Sequence, residues 1–307
     1  MKIGAFEIAE PVPELKNTCA IAMLRPWVDV GRVGTLALNK VERHLGAREL
    51  GRLARPGVFL DFTRERPRIR IVENRRMLIT PNSIVQYAKF DNYNRDFLFL
   101  HLREPHMMGE DYCDAIVELL KFFNVTEYCR IGGMYDSVPH TRRLLVTGTL
   151  SGEKLRKAGH LVSPRLNAYQ GPTSIVNLVT EAMAAANVET TSIMVHIPQY
   201  VQLDEDHMGA YRLIQVLAAI YDLPESLADP EMGKRQYDGI ELAVDSNPDV
   251  KALVQQLEVE FDKVQASRDP ERKPALSADM EKFLQEMAER LENKTNNPSE
   301  PPEEHGQ

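Results

Sequence analysis

An α/β fold in three layers, a mixed and largely parallel sheet sandwiched between helices, follows from three features of the 307-residue sequence. Short runs that are apolar throughout or nearly so, at 18–24, 97–102 and 192–197, have the character of strands buried on both faces. Other segments repeat apolar residues every three or four positions, which marks helices with one buried stripe. The two kinds alternate along the chain, and strands that alternate with helices pair in parallel beneath helical cover.

The run at 18–24 ends at the turn Arg25-Pro26-Trp27, and Val33, Leu36, Ala37, Val41 and Leu45 then place a helix within 31–46. Residues 58–62 form a second short apolar run. Residues 68–80 read as two strands that reverse near Glu73-Asn74. After the strand at 97–102, Ile116, Leu119, Leu120 and Phe123 share one face of a helix over 112–123. Strands follow at 128–131, ending in Gly132-Gly133, and at 144–149. Gly171-Pro172 opens a helix carrying Ile175, Leu178, Val179 and Met183, since proline is tolerated in a first helical turn. The strand at 192–197 and a helix over 208–221 complete a domain assigned to residues 1–223.

Beyond it the pattern changes. Val250, Leu253, Val254, Leu257, Phe261 and Val264 form one stripe, and Met280, Phe283, Leu284, Met287 and Leu291 another, so residues 224–294 read as a helical appendage. The segment 295–307, rich in Asn, Pro and Glu, reads as a disordered acidic tail.

Composition narrows the function classes. A net charge of −8 argues against nucleic acid as a partner, because phosphate backbones require a clustered basic surface. The basic stretch 64–76 alternates charge with Ile69, Ile71 and Val72, as the solvated face of a hairpin does; a surface for phosphate or an acidic partner is the alternative. Cys19, Cys113 and Cys129 are odd in number and share no metal-ligand spacing, which points to buried thiols in a reducing, cytoplasmic setting. Neither a signal segment nor a membrane span is evident, so no membrane association is expected. His196, His207 and the acidic loop between them match no metal loop, and neither a metal nor a cofactor is expected.

Several short motifs fall where strands run out into loops, the edge at which open α/β sheets bind ligands. Gly132-Gly133 permits close backbone approach to an anion, or serves only as a tight turn. His140 stands beside Arg142 and Arg143, a set suited to holding a phosphate or carboxylate, or to tying the loop to Glu104 or Asp136. Gly171 at a helix start offers free amides, or simply begins the helix. No Gly-x-Ser-x-Gly elbow and no activated cysteine is present, so nucleophilic catalysis finds no support.

Taken in order, Trp27, Gly31, Asp61, Glu104-Pro105, Gly132-Gly133, Pro139-His140-Thr141-Arg142, Tyr169-Gln170-Gly171-Pro172 and Ile197-Pro198-Gln199-Tyr200 resemble the proteasome assembly chaperone 2 family, over residues 17–224. The resemblance implies a fold similar to purine nucleoside phosphorylases and peptidyl-tRNA hydrolases. It also implies a noncatalytic chaperone or assembly factor with a protein partner, self-association, or both, a homotrimer being one such assembly. The chain departs from the family in reading Leu102-Arg103-Glu104-Pro105 where relatives often carry a glycine before the Glu-Pro pair. Its sequence closes on Glu304-His305-Gly306-Gln307, without the hydrophobic-tyrosine tail by which archaeal assembly factors can dock on proteasome rings. The alternative is an enzyme binding a nucleoside, nucleotide or other anionic small molecule at the carboxyl edge, with Arg142 holding the anion, His140 moving a proton, and Glu104, Gly132, Gly133 and Gly171 nearby.

Overall fold

In the computed structural model, residues 1–90, 95–164 and 173–268 are described. Tyr169-Gln170-Gly171-Pro172, the stripe at 280–291 and the tail 295–307 lie outside them. One compact unit runs Met1–Glu258, and the described residues 259–268 belong to a second.

The first unit is built on a ten-stranded mixed sheet in the order β1 (Lys2–Ile3), β2 (Phe6–Ile8), β4 (Arg48–Leu53), β7 (Ile84–Phe90), β8 (Arg95–Arg103), β3 (Cys19–Arg25), β9 (Glu127–Asp136), β12 (Glu189–Pro198), β10 (Val146–Thr149) and β11 (Ser163–Pro164). The central four, β8, β3, β9 and β12, are parallel. The flanking pairs are antiparallel except β10 with β11. All residues of β3 but Arg25 are buried, as expected of a strand covered on both faces.

Alternation along each strand divides the interior into two cores. Odd positions such as Ile21, Phe97, Phe99, Ile131 and Val195 pack with α1 (Val33–Leu45), α3 (Gly152–Ala158) and α5 (His207–Tyr221). Even positions such as Ala20, Leu98, Leu100 and Tyr128 pack with α2 (Gly109–Phe122) and α4 (Ile175–Ala185). Helix α1 stops where Gly46 takes a left-handed conformation and its N–H and that of Ala47 cap the last carbonyls. Helix α5 starts where the Asp206 carboxylate accepts the Gly209 N–H. Two further helices follow, α6 (Glu231–Asp245) and α7 (Pro248–Arg268). Tyr237 of α6 is buried in the odd-position core, and Val254 of α7 is buried as well.

Strands β5 (Arg68–Val72) and β6 (Arg75–Ile79) stand apart as a separate two-stranded sheet. They reverse at Glu73 and Asn74, both at positive φ, the backbone of a tight two-residue hairpin turn whose twist suits the strands. Every residue of both strands is exposed. Strands β1, β2, β4, β7 and β11 and helix α3 extend the architecture beyond the elements expected from sequence. Residues 58–62 form no strand; Phe59 is instead buried against Tyr112 at a ring separation of 5.2 Å.

Candidate functional site at the carboxyl edge of the sheet

The four parallel strands end at Arg25, Arg103, Asp136 and Pro198, so the segments that follow them form one rim. Gly132 and Gly133 lie within β9, which continues past them to Asp136. A Cβ on Gly132 would sit 2.4 Å from the Val28 carbonyl oxygen, and one on Gly133 2.4 Å from Val33 Cγ2. The pair thus makes room for the β3–α1 turn to cross β9, and Gly133 N donates to Val28 O at 2.8 Å.

That turn is pinned by two buried carboxylates. Asp29 accepts from Thr35 N at 3.0 Å and from its hydroxyl at 2.5 Å. Asp206 accepts from Gly209 N at 2.7 Å and Tyr237 OH at 2.9 Å, while its own N–H donates to Gly31 O. Burial raises both carboxyl pKa values, and these hydrogen bonds oppose the rise. Gly31 has φ 54°, and a Cβ there would meet Asp206 Cβ at 2.8 Å, so a side chain is excluded on both counts.

His140 and Arg142 come together beneath α6 and α7. The buried His140 imidazole places Nδ1 2.6 Å from Tyr200 OH, and its backbone N–H donates to the same oxygen at 2.7 Å. Nε2 lies 2.8 Å from Glu241 Oε2 of α6, close enough for an ion pair but poorly directed for a hydrogen bond. Burial pushes the Tyr200 hydroxyl up to about 12, against the pull of the His140 N–H. Arg142 Nη1 lies 3.0 Å from Glu258 Oε1, which also accepts the Thr141 hydroxyl.

Glu104 lies elsewhere. It continues the even-position face of β8, where burial raises its pKa and the Ile175 N–H at the start of α4 opposes the rise. The structure therefore brings His140 and Arg142 together and leaves Glu104 across the sheet from them. Gly171 lies outside the described residues. His196 is held between Asp136 Oδ2, 2.7 Å from Nδ1, and Thr147 Oγ1, 2.8 Å from Nε2, so its ring has a partner on each side. Among the described residues no group of three or more His, Cys, Asp or Glu side chains could hold a metal ion. The three cysteines are buried and unbonded to one another, and burial pushes the Cys113 thiol up to about 11.

A feature that the motifs did not disclose sits at the ends of β3 and β8. A cleft of about 650 Å³ is lined by Arg25, Arg32 and Arg103 on the sheet side and by Arg64, Arg66, Arg68 and Arg70 on the hairpin side. Arg103 pairs with Glu65, and Arg32 with Glu205. The alternating charges of 64–76 were visible in sequence. Their meeting with Arg25 and Arg103 depends on the fold.

The sequence profile of the PAC2 family matches residues 23–231. The chain belongs to the PAC2 family. A PAC2 family protein from Streptomyces avermitilis superposes with a TM-score of 0.67 at 22% identity, over 77% of this chain and 99% of that one. A proteasome-assembly chaperone homologue from Mycobacterium tuberculosis gives 0.67 at 21% identity, over 77% and 99%. PbaB of Pyrococcus furiosus, an archaeal proteasome activator, gives 0.62 at 17% identity, over 79% and 99%. At these identities the likeness is one of fold. No curated protein matches the chain. Among the described residues of this PAC2 family chain, no helix is long and apolar enough to cross a membrane.

Proposed function

We propose that this PAC2 family chain is a noncatalytic protein-binding module, chaperone-like in role, that associates with itself through the β5–β6 hairpin. The observation that carries this reading is the hairpin's composition and isolation. Register places Ile69, Ile71, Leu78 and Arg76 on one face, and Ile71 and Leu78 are 76% and 67% exposed. The opposite face carries Arg68 and Arg70 toward the cleft. A two-stranded hairpin without a core behind it is marginal in water, and an apolar face turned to solvent gains stability when a partner covers it.

A second copy of the chain suits that face. That face carries Arg76 beside its apolar residues, in a chain whose net charge is −8. Helix α6 carries Glu231, Asp238, Glu241 and Asp245 against Lys234 and Arg235, with Met232 and Leu242 exposed at 59% and 73%. A basic, apolar arm meeting an acidic, apolar helix of the next copy is a head-to-tail contact, the kind that closes into rings such as trimers. The family membership, and relatives that are a proteasome-assembly chaperone homologue and a proteasome activator, support a protein as the partner.

Light scattering coupled to size exclusion tests this. Wild-type protein is expected at a multiple of the 34.8 kDa chain mass, and the Ile71→Asp/Leu78→Asp variant at 34.8 kDa itself. A wild-type monomer at every concentration, or a variant that stays assembled, contradicts the proposal. The enzymatic alternative calls for His140, Arg142 and Glu104 to meet at one open site, and Glu104 lies apart from the other two beside Ile175.

A further inference from the structure

From the cleft at the ends of β3 and β8 we infer a binding site for a compact polyanion bearing adjacent phosphate groups, gripped between arginines of the sheet rim and arginines of the hairpin. The cleft brings seven arginines and one glutamate to a single lining, in a chain whose net charge is −8. So concentrated a positive field in an acidic protein attracts anions specifically to this place.

The two walls play different parts. On the rim, Arg103 is anchored by Glu65, Arg32 by Glu205, and Arg25 Nε lies 3.5 Å from Asp29 Oδ2. Burial lowers the Arg25 pKa, and the charges of Arg103 and Arg32 lower it further, so the three guanidiniums feel one another. On the hairpin wall, Arg66, Arg68 and Arg70 are exposed and have no side-chain partner among the described residues. Like charges face each other across the cleft with too few acids between them, and an anion relieves that repulsion.

The lining also indicates which anion. Its apolar members are Ile79 and Pro81, which offer no aromatic surface for a nucleobase, so recognition rests on charge. The volume of about 650 Å³ is that of a small-molecule site. An acidic peptide brings roughly one carboxylate per 3.5 Å of extended chain, whereas linked phosphates bring several charges into a smaller space. Guanidinium forks match phosphate oxygens in pairs. The position, outside the carboxyl ends of parallel strands, is where open α/β sheets receive ligands.

Isothermal titration calorimetry of the full chain with inorganic tripolyphosphate tests the site, with hexaglutamate as comparison. The expected result is one tripolyphosphate per chain, binding that weakens as sodium chloride is added, and an affinity loss of at least tenfold in Arg68→Ala/Arg70→Ala. That variant should keep the wild-type circular dichroism and unfolding midpoint, because both side chains are exposed and unbonded. No binding, binding indifferent to the double substitution, or hexaglutamate binding as tightly as tripolyphosphate would each overturn the inference. Ile71 and Leu78 lie on the hairpin's other face, so this site and the self-association surface can fail separately.

Discussion

Gly132 in β9 and Gly239 in α6 meet opposite surroundings. A methyl group on Gly132 meets the Val28 carbonyl oxygen at 2.4 Å, and backbone yields less readily than a side chain tip. Gly132→Ala is expected to destabilise by about 1–3 kcal/mol, the range for overpacking a tight interior. On Gly239, in α6, the same methyl meets nothing within 4 Å, so Gly239→Ala should stabilise the helix by about 0.5–1 kcal/mol. Urea unfolding of the two variants checks both signs, and equal effects would contradict the account of the glycine pair. The pair is conspicuous in sequence, but the reason for it is Val28, about a hundred positions earlier. His140 teaches the same point: the motif around it was legible, while Tyr200, bonded at Nδ1, and Glu241, close to Nε2, are brought there by folding. Adjacency in sequence suggested His140 with Arg142; folding sets both against α6 and α7, and Glu104 against the start of α4.

At the scale of elements, the amino edge of the sheet holds an ion cluster in which Lys154 and Glu127 are buried and Glu189 is exposed. Lys154 Nζ of α3 lies 2.9 Å from Glu127 Oε1 and 2.7 Å from Glu189 Oε1, at the starts of β9 and β12. Lys154→Met leaves Glu127 buried with Arg95 and Tyr221 as its remaining partners. The expected cost is about 3 kcal/mol at neutral pH, the low end for a broken buried pair. Burial alone would raise the Glu189 pKa, but hydrogen bonding to Lys154 and its charge outweigh burial and hold it low. A carboxylate held low contributes stability above its unfolded pKa and loses it as pH falls through the lowered value. For Lys154, desolvation works downward, yet Glu189 and Glu127 together raise its pKa, so its contribution fades only as pH rises through that raised value. The cost of Lys154→Met should therefore be level through the neutral range and shrink in acid. Denaturant unfolding from pH 8 to 3 measures it, and a cost unchanged in acid would contradict the pairing.

The elements themselves were unequally legible. Strands β3, β8 and β12 announced themselves because both faces are buried, and the β5–β6 hairpin through its turn and alternation. Strand β4 buries only Leu50, Gly51 and Leu53 and carries a bulge between Glu49 and Gly51, so its alternation is broken. Helix α3 is seven residues long, too short for a periodicity to emerge. Helix α6 has an interior broken by Gly233 and Gly239, and Gly233 is where a Cβ would meet the Met208 backbone at 2.7–2.8 Å.

For the molecule as a whole, continuous apolar strands beneath two helical layers were sufficient to read the fold, because the central parallel strands have no solvent face to disguise them. What escaped the sequence is what the layers bring together: rim arginines with hairpin arginines, and an apolar hairpin face left exposed among the described residues. The proposal that this face joins two copies is tested most directly by hydrogen–deuterium exchange over residues 68–79 of the full chain, at concentrations above and below assembly. The amides of β5 and β6 should be protected in the assembled wild type and should exchange at nearly unfolded rates in dilute protein and in Ile71→Asp/Leu78→Asp. Rapid exchange throughout the hairpin in a wild-type assembly would contradict the claim that it is the arm that holds the copies together.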